Sequence, residues 1–286
     1  MIAPAHHSAP RAFWSSVDGA LVLNLDSRPD RWATFQAAAQ HIVPAEKLQR
    51  LPAIQGTDVP GFGRRPWFRG RPRDRRWAGR AGCLLSHRQA LLRARAANWK
   101  TVLILEDDVA FAPDFARLAD ALMAVSQEYD WEVCYLGFTD PWWPRRKETE
   151  LDAEHGLYRV QGCNTAHAYL VREPAREWIL ARLPDAAQVW PWLARHRAID
   201  RWYQRQLGLV FPVTCVSPGI VNQTDDFSDI VGRTTDYHAQ PQLRRAVTST
   251  SGMWGYYAGH ALRRLTIRLG LVADGFRGLG KRLAGF

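Results

Sequence analysis

The stretch TVLILEDD, residues 101–108, decides the fold of this 286-residue chain. Its first five residues are continuously apolar, and three adjacent carboxylates follow them. A short run that is apolar without alternation is typical of a strand buried on both faces of a parallel sheet. Helical patterns flank it at residues 82–98 and 113–126. Alternation of strands and helices predicts an α/β sandwich with a mainly parallel sheet.

The rest of the alternating pattern extends in both directions from this strand. We predict a long loop over residues 60–80, where Pro, Gly and Arg interrupt every regular period. Residues 1–19 are expected to be a loose leader, and residues 241–286 a separate basic tail. Further strands are predicted at residues 20–25, 131–136, 166–171 and 210–216, and further helices from Pro29, at 173–182 and at 198–207.

The three carboxylates, Glu106, Asp107 and Asp108, stand where ligands bind in open α/β sheets, at the carboxyl end of a strand. Adjacent carboxylates repel one another, so their proximity beside an apolar strand favours a bound cation. Magnesium or manganese suits carboxylate and diphosphate oxygens. The alternative is an exposed acidic turn without a ligand.

Composition and charge limit the class of protein. Hydrophobic residues make up 47% of the chain and charged residues 23%, as in a folded protein, and the net charge is +10. No apolar run reaches the length of about 18 residues that a membrane span requires, and no signal peptide is recognisable. We therefore expect a cytoplasmic protein. Residues 63–80 contain eight arginines and one aspartate, which indicates an anionic partner or a solvated face.

The tail carries a second basic segment with an amphipathic period. Its apolar residues alternate steps of three and four, the spacing of an amphipathic helix, with arginines on the other side. Four glycines weaken such a helix in water by about 1 kcal/mol each. We predict that it lies on an anionic membrane surface; packing on its own domain or on a second subunit is the alternative. The apolar positions are Leu262, Leu265, Leu269, Val272, Phe276, Leu279 and Leu283.

Several separated segments together resemble one family. The chain is similar to glycosyltransferase family 25, which includes lipooligosaccharide-biosynthesis transferases. The most specific part is the helix with Ser86-His87 followed by the strand that ends in Glu-Asp-Asp. The matching segments are residues 22–31 (VLNLDSRPDR), 82–87 (GCLLSH), 103–115 (LILEDDVAFAPDF), 162–171 (GCNTAHAYLV), 199–207 (IDRWYQRQL) and 218–230 (PGIVNQTDDFSDI).

The resemblance implies a GT-A-like Rossmann-type fold over residues 20–240, a nucleotide-sugar donor such as a UDP-hexose, and inversion at the anomeric carbon. In such enzymes a D-x-D motif binds the metal and the donor. Glu106, Asp107 and Asp108 occupy that position here. Asp108 is implied as the metal ligand, Glu106 as a ligand of the metal or the ribose, and Asp107 as a donor contact.

Five further residues are predicted to contact the donor. Asn24, Asp26 and Arg31 lie after the first strand, where proteins of this type contact the nucleotide. Asp26 has an equally weighted alternative as a helix cap. Ser86 and His87 match the family, although a histidine within a helix is more often structural.

Inverting transfer needs a general base that takes the proton of the acceptor hydroxyl. The position of Asp200 in its motif makes it the predicted base, with Asp229 as the second choice or a further metal ligand. Alternatively, Asp200 caps a helix or pairs with Arg197 or Arg201.

The predicted function is therefore metal-dependent transfer of a hexose, galactose or glucose, to a lipooligosaccharide or other surface glycan at the inner face of the membrane. No nucleic acid is expected as a partner. The rival interpretations are a nucleic-acid-binding protein, in which Trp67, Phe68 and Trp77 stack on bases, and an inactive relative that binds glycan.

Overall fold

In a computed structural model, the part of the chain that the structure describes contains eight α-helices and fourteen strands. The described residues are 9–224, 226–228, 233–235, 247 and 249–286. The helices are α1 Arg11–Ser16, α2 Pro29–Ala39, α3 Asp74–Ala96, α4 Phe115–Val125, α5 Glu173–Leu180, α6 Val189–His196, α7 Ile199–Val210 and α8 Met253–Ala284. The strands are β1 Gly19–Asn24, β2 Leu48–Pro52, β3 Thr101–Glu106, β4 Val109–Phe111, β5 Val133–Gly137, β6 Asp140–Pro141, β7 Arg145–Glu150, β8 Gly156–Val160, β9 Cys163–Asn164, β10 Ala168–Arg172, β11 Val213–Ser217, β12 Val221–Gln223, β13 Asp226–Ser228 and β14 Arg233–Thr235.

The central sheet has eight strands among the described residues, in the order β2-β1-β3-β10-β5-β11-β8-β7. β1 pairs in parallel with β2 and β3, and β5 pairs in parallel with β11. β10 and β8 pair antiparallel with their neighbours and run against the other six strands. The predicted α/β class with a mainly parallel sheet is confirmed.

Helices cover both faces of the sheet, as the unbroken apolar strands require. One core lies under α3, α5, α6 and α7, and the other under α1, α2 and α4. All six residues of β1 are buried, and so are the first five of β3. Burial on both sides explains why these strands show no alternation of apolar and polar residues.

The long loop predicted over residues 60–80 is only partly observed. α3 begins at Asp74, eight residues before the predicted start at Gly82. Trp77, Ala78 and Ala81 extend its buried face toward the N-terminus. The intervening arginines conceal this face in the sequence. Three strands of the central sheet, β2, β7 and β8, and helix α6 were also not predicted.

The expected loose leader is wrong for residues 11–16, which form α1. Phe13 and Trp14 are buried against α4, and their rings meet edge to face at 4.9 Å. The Phe13 amide donates to Asp120 at 2.9 Å. Two large aromatic side chains are enough to bind this short segment to the domain.

The tail packs on the domain through α8, and the apolar line predicted for it faces outward. Ile267 and Asp274 are buried on the inner side of α8, which contacts α6, α7 and β7. Asp274 accepts from Arg205 at 2.6 Å, and His260 hydrogen-bonds the Gly208 carbonyl at 2.7 Å. All seven residues of the predicted apolar line are exposed; they are Leu262, Leu265, Leu269, Val272, Phe276, Leu279 and Leu283.

Phe286, just beyond α8, is fully buried among aromatic rings. Its ring stacks on Trp77 at 4.2 Å and on Trp67 at 5.7 Å, and its amide donates to the Trp67 carbonyl at 2.7 Å. Phe68 also lies in this cluster, 5.3 Å from Phe286 between ring centroids. The rings considered for stacking on nucleic-acid bases are therefore engaged inside the protein.

We expect Phe286→Ala to lower the free energy of unfolding by about 3 to 5 kcal/mol, because it empties a buried aromatic site. Phe276→Ala is the matched control, since this side chain is 72% exposed. Denaturant titration followed by tryptophan fluorescence measures both. Equal effects of the two replacements would contradict the observed packing of the tail.

Candidate active site

A cavity of about 1340 Å³ lies at the carboxyl ends of β1 and β3. The two strands are parallel with Leu23 opposite Glu106, so both chains leave the sheet at the same edge. α3 forms one wall together with residues 53–57. The two parts of this wall pack closely: a Cβ at Gly56 would collide with the Ala78 carbonyl oxygen, and a Cβ at Gly82 with the Ile54 carbonyl oxygen.

Asp108 has only long contacts with the neighbouring side chains that the structure describes. Its Oδ1 accepts from Gln223 Nε2 at 3.5 Å, and its Oδ2 lies 3.6 Å from Arg31 Nη1. Its backbone carbonyl accepts from the Thr224 amide at 2.7 Å, which fixes the position of the residue. Burial, followed by repulsion from Glu106, raises the pKa of Asp108 to about 7. A negatively charged Asp108 is thus disfavoured unless a cation is bound.

Asp107 is held by protein groups instead. Asn24 Nδ2 donates to its Oδ2 at 2.6 Å, and Arg31 Nη1 donates to its Oδ1 at 3.1 Å. The parallel register of β1 and β3 brings Asn24 beside it. Asp107 therefore fixes Arg31 at the cavity wall.

Glu106 lies close to two residues of α3, His87 and Cys83. His87 Nε2 lies 3.5 Å from Glu106 Oε1, and His87 Nδ1 lies 3.1 Å from the Tyr169 hydroxyl. Burial alone would raise the pKa of Glu106, but the hydrogen bond and charge of His87 outweigh it and lower that pKa. Cys83, one helical turn before His87, also lines the cavity.

The ligand atoms of the three motif carboxylates do not converge on one point. Among the described residues, two groups of three have ligand atoms within 4.8 Å of one another: Cys83, His87 and Glu106, and Asp114, Asp152 and His155. Magnesium and manganese are commonly held by one or two carboxylates together with substrate phosphates. The half-buried Asp108, which has only long contacts with other described side chains, fits that mode of binding.

Two of the predicted donor contacts lie outside the cavity lining. Asn24 is buried, and its Oδ1 accepts from Arg50 at 2.7 Å. Asp26 is exposed and accepts from Arg50 Nη2 at 2.6 Å. It does not cap α2, whose N-cap residue is Arg28. Both residues bind Arg50, and Asn24 also holds Asp107.

Ser86 lines the cavity, but its hydroxyl is already used twice. It donates to the Gly82 carbonyl at 2.7 Å and accepts from the Ile54 amide at 2.8 Å. These bonds connect α3 to the 53–57 wall. Its observed contacts are structural.

Asp200 faces the same cavity from the first turn of α7. Its Oδ1 accepts from the Arg201 amide at 2.7 Å, and its Oδ2 lies 3.4 Å from the Thr165 amide. Within the described part of the chain it forms no ion pair, and the N-cap of α7 is Ala198. Both predicted alternatives, a cap and a salt bridge with Arg197 or Arg201, are absent from these described residues.

Strained backbone lies next to Asp200. Thr165 has φ of 62° and Arg197 has φ of 74°, and both line the cavity. Positive φ costs about 1 kcal/mol or more in residues other than glycine and is frequent at functional sites. The surrounding structure therefore forces two residues beside the candidate base into disfavoured conformations.

Some residues of the site escaped the sequence analysis. Cys83, Gln223 and Thr224 line the cavity, as do residues 53–57. The spacing of Cys83 and His87, four apart on a helix, was a signal that could have placed Cys83 beside His87. Asp229, the second predicted base, lies outside the described residues.

A known family matches the part of the chain that contains the motif carboxylates. The model of glycosyltransferase family 25, described as an LPS biosynthesis protein, matches residues 18–139. Residues 18–139 therefore resemble glycosyltransferase family 25. The predicted family is confirmed, and with it the enzyme class, a glycosyltransferase. The match ends before Asp200.

The solved structures to which this glycosyltransferase is similar are distant. Three of them are A197 from STIV (13% identity, 69% of this chain and 81% of that chain, TM-score 0.35), the mannose-1-phosphate geranyltransferase from Thermus thermophilus (13%, 77% and 75%, 0.33) and the inositol-1-phosphate CTP transferase from T. maritima (8%, 83% and 99%, 0.36). Such TM-scores say nothing about function. No curated protein matches the sequence significantly.

Proposed function

We propose that this glycosyltransferase transfers a hexose, galactose or glucose, from a nucleotide sugar such as a UDP-hexose to a lipooligosaccharide or other surface glycan, with inversion and with a divalent metal. The observation that carries the proposal is the common cavity of the motif carboxylates and Asp200. One side chain suited to a metal-bound diphosphate and one suited to a base face the same space.

The chemistry divides between the two ends of this cavity. A bound manganese or magnesium ion supplies positive charge for the leaving diphosphate. Asp108 would hold that ion, and Arg31 would pair with a phosphate oxygen. Asp200 would take the proton of the acceptor hydroxyl while that oxygen attacks the anomeric carbon from the face opposite the leaving group.

Calorimetric titration tests the donor half of the proposal. UDP, UDP-galactose and UDP-glucose should bind in the presence of manganese and bind far more weakly with EDTA, because the ion offsets charge between diphosphate and carboxylates. GDP-mannose is the comparison ligand for the nucleotide. Absence of binding by every nucleotide sugar would contradict the proposal and favour a glycan-binding relative without transfer activity.

We also propose that α8 places the enzyme on an anionic membrane. Among the described residues, no helix has the length and apolar character needed to cross a bilayer. The support is the continuous exposed apolar face of α8, together with exposed Arg264, Arg268 and Arg282 beside it. Apolar burial and basic residues near acidic headgroups act together at an interface.

We expect Leu269→Ser combined with Phe276→Ser to abolish sedimentation with anionic liposomes. Burying one such side chain contributes about 1.5 to 3 kcal/mol, so two losses should weaken partitioning by about a hundredfold or more. The control is Val210→Ser, an exposed apolar residue outside α8. Unchanged sedimentation, or a dimer of the wild type that these replacements dissociate, would overturn the membrane assignment.

A further inference from the structure

Six arginines surround the outer part of the cavity, and we refer to them as the arginine mouth. They come from the start of α3 and from the junction of α6 and α7. Within the described part of the chain, none of them forms an ion pair with a carboxylate. The six are Arg73, Arg75, Arg76, Arg80, Arg197 and Arg201.

Mutual repulsion within the arginine mouth is evident at Arg80. Burial lowers the pKa of Arg80, and the charges of Arg76, Arg197 and Arg201 lower it further, whereas Asp200 raises it. The same clustering reaches Lys281 of α8, whose pKa is lowered by burial and by neighbouring arginines. Like charges gathered around one carboxylate are stabilised when an anion binds between them.

α3 orders the groups along the cavity. His87 lies beside Glu106, and at a rise of about 1.5 Å per residue Arg80 is about 10 Å and Arg76 about 16 Å farther along the helix. Asp200 Oδ2 lies 3.4 Å from the Thr165 amide, in the segment whose His167 carbonyl accepts from the Glu106 amide, and Asp200 shares the start of α7 with Arg201. Asp200 therefore lies between Glu106 and the arginines. The order is therefore motif carboxylates, candidate base, arginine mouth.

This order separates the arginine mouth from the donor diphosphate. A diphosphate held through Asp108 would lie at the other end of the cavity, where Arg31 is available. An acceptor hydroxyl that gives its proton to Asp200 brings the remainder of the acceptor toward Arg76, Arg80 and Arg201. Guanidinium groups bind phosphate and carboxylate oxygens through paired hydrogen bonds.

We propose that the arginine mouth is an acceptor subsite that binds an anionic group, phosphate or carboxylate, on the glycan beside the hydroxyl to be glycosylated. The inference deepens the proposed function and rests on it. It assigns a charged acceptor to this enzyme. A neutral glycan of the same size would leave the arginines unpaired and bind weakly.

Calorimetry with the donor site filled by UDP and manganese tests this subsite directly. The probes are glucose 6-phosphate, glucuronate and glucose, which present a phosphate, a carboxylate and no charge on similar sugars. We expect one or both anionic probes to bind and glucose to bind at least about tenfold more weakly. The stronger anion identifies the group that the acceptor carries.

The variant pair is Arg76→Gln with Arg201→Gln, and the matched control is Arg11→Gln with Arg64→Gln, two exposed arginines outside the cavity lining. The first pair of replacements should lower the affinity for the anionic probe by at least about tenfold, and the control pair should leave that affinity unchanged. UDP affinity in manganese should be unchanged in both. That titration separates a failure of the donor proposal from a failure of the subsite.

Four results would overturn the subsite. Failure of both anionic probes to bind the wild type is the first. If the control pair lowered probe affinity equally, the effect would come from the overall surface charge and not from the arginine mouth. Weaker UDP binding by Arg76→Gln with Arg201→Gln would assign the arginines to the donor phosphates. Displacement of the probe by a thymidine oligonucleotide, with loss of oligonucleotide affinity in the same variant, would assign the arginine mouth to nucleic acid.

Discussion

Replacement of Asp108 by asparagine is expected to abolish metal-dependent donor binding while the fold stays intact. Loss of a residue that merely orients a metal ligand costs about 10- to 100-fold in affinity, so loss of the ligand itself should exceed about a hundredfold. The raised pKa of Asp108, caused by burial and then by Glu106, also fixes the sign of the stability effect. Without metal, the charged carboxylate destabilises the folded state above its unfolded pKa, so Asp108→Asn should unfold at the same or a higher temperature.

Calorimetry with UDP in manganese and a thermal melt in EDTA measure the two effects. Asp130→Asn is the control, since this exposed aspartate is outside the cavity lining. The expected combination is lost donor binding with undiminished stability. Unchanged manganese-dependent affinity would remove Asp108 from the metal site.

The second large effect is expected at Asp200. Asp200→Asn should reduce turnover by about a hundredfold or more, because an amide cannot take the acceptor proton. Donor affinity should be unchanged, since the base acts on the acceptor. An asparagine keeps one acceptor oxygen, which can retain the 2.7 Å bond from the Arg201 amide, and it loses only the weaker 3.4 Å contact with the Thr165 amide, so the start of α7 should survive.

The readouts are single-turnover transfer under saturating donor and calorimetric UDP affinity in manganese. Glu154→Gln, at an exposed turn, serves as the control for loss of one negative charge. Turnover close to wild type in Asp200→Asn would show that another group is the base, and Asp229 would be replaced next.

Local pattern accounts for most of the sheet and much less of the helical layer. β1, β3, β5 and β10 could be predicted because each is a short apolar run, and burial on both faces needs nothing more than that. The start of α3 could not, since arginines separate its buried residues Trp77, Ala78 and Ala81. These three residues can be recognised as one buried helix face only once the segment packed against the start of α3 is known, as at Gly56.

The candidate site follows the same division. The motif carboxylates and Asp200 could be proposed from residue type, motif and family resemblance. The different engagement of Asp107 and Asp108 could not, because it depends on the parallel register that brings Asn24 beside Asp107. The cavity lining by Cys83, Gln223 and Thr224 likewise depends on chain segments far apart in sequence.

The sequence by itself determined the layered α/β architecture, the carboxylates at the end of β3, the glycosyltransferase family and the amphipathic period of the tail. The architecture and the amphipathic period are local properties, set by the polarity of residues a few positions apart, whereas the family resemblance rests on residue identity in several separated segments. Only the tertiary structure decided which carboxylate remains available to a ligand and which face of α8 is buried. The helical period of the tail defines an apolar face and an opposite face, but it does not show which of them is buried. That depends on α6 and α7, which cover one face of α8. Contacts between segments that are far apart in the sequence leave no pattern in the local sequence.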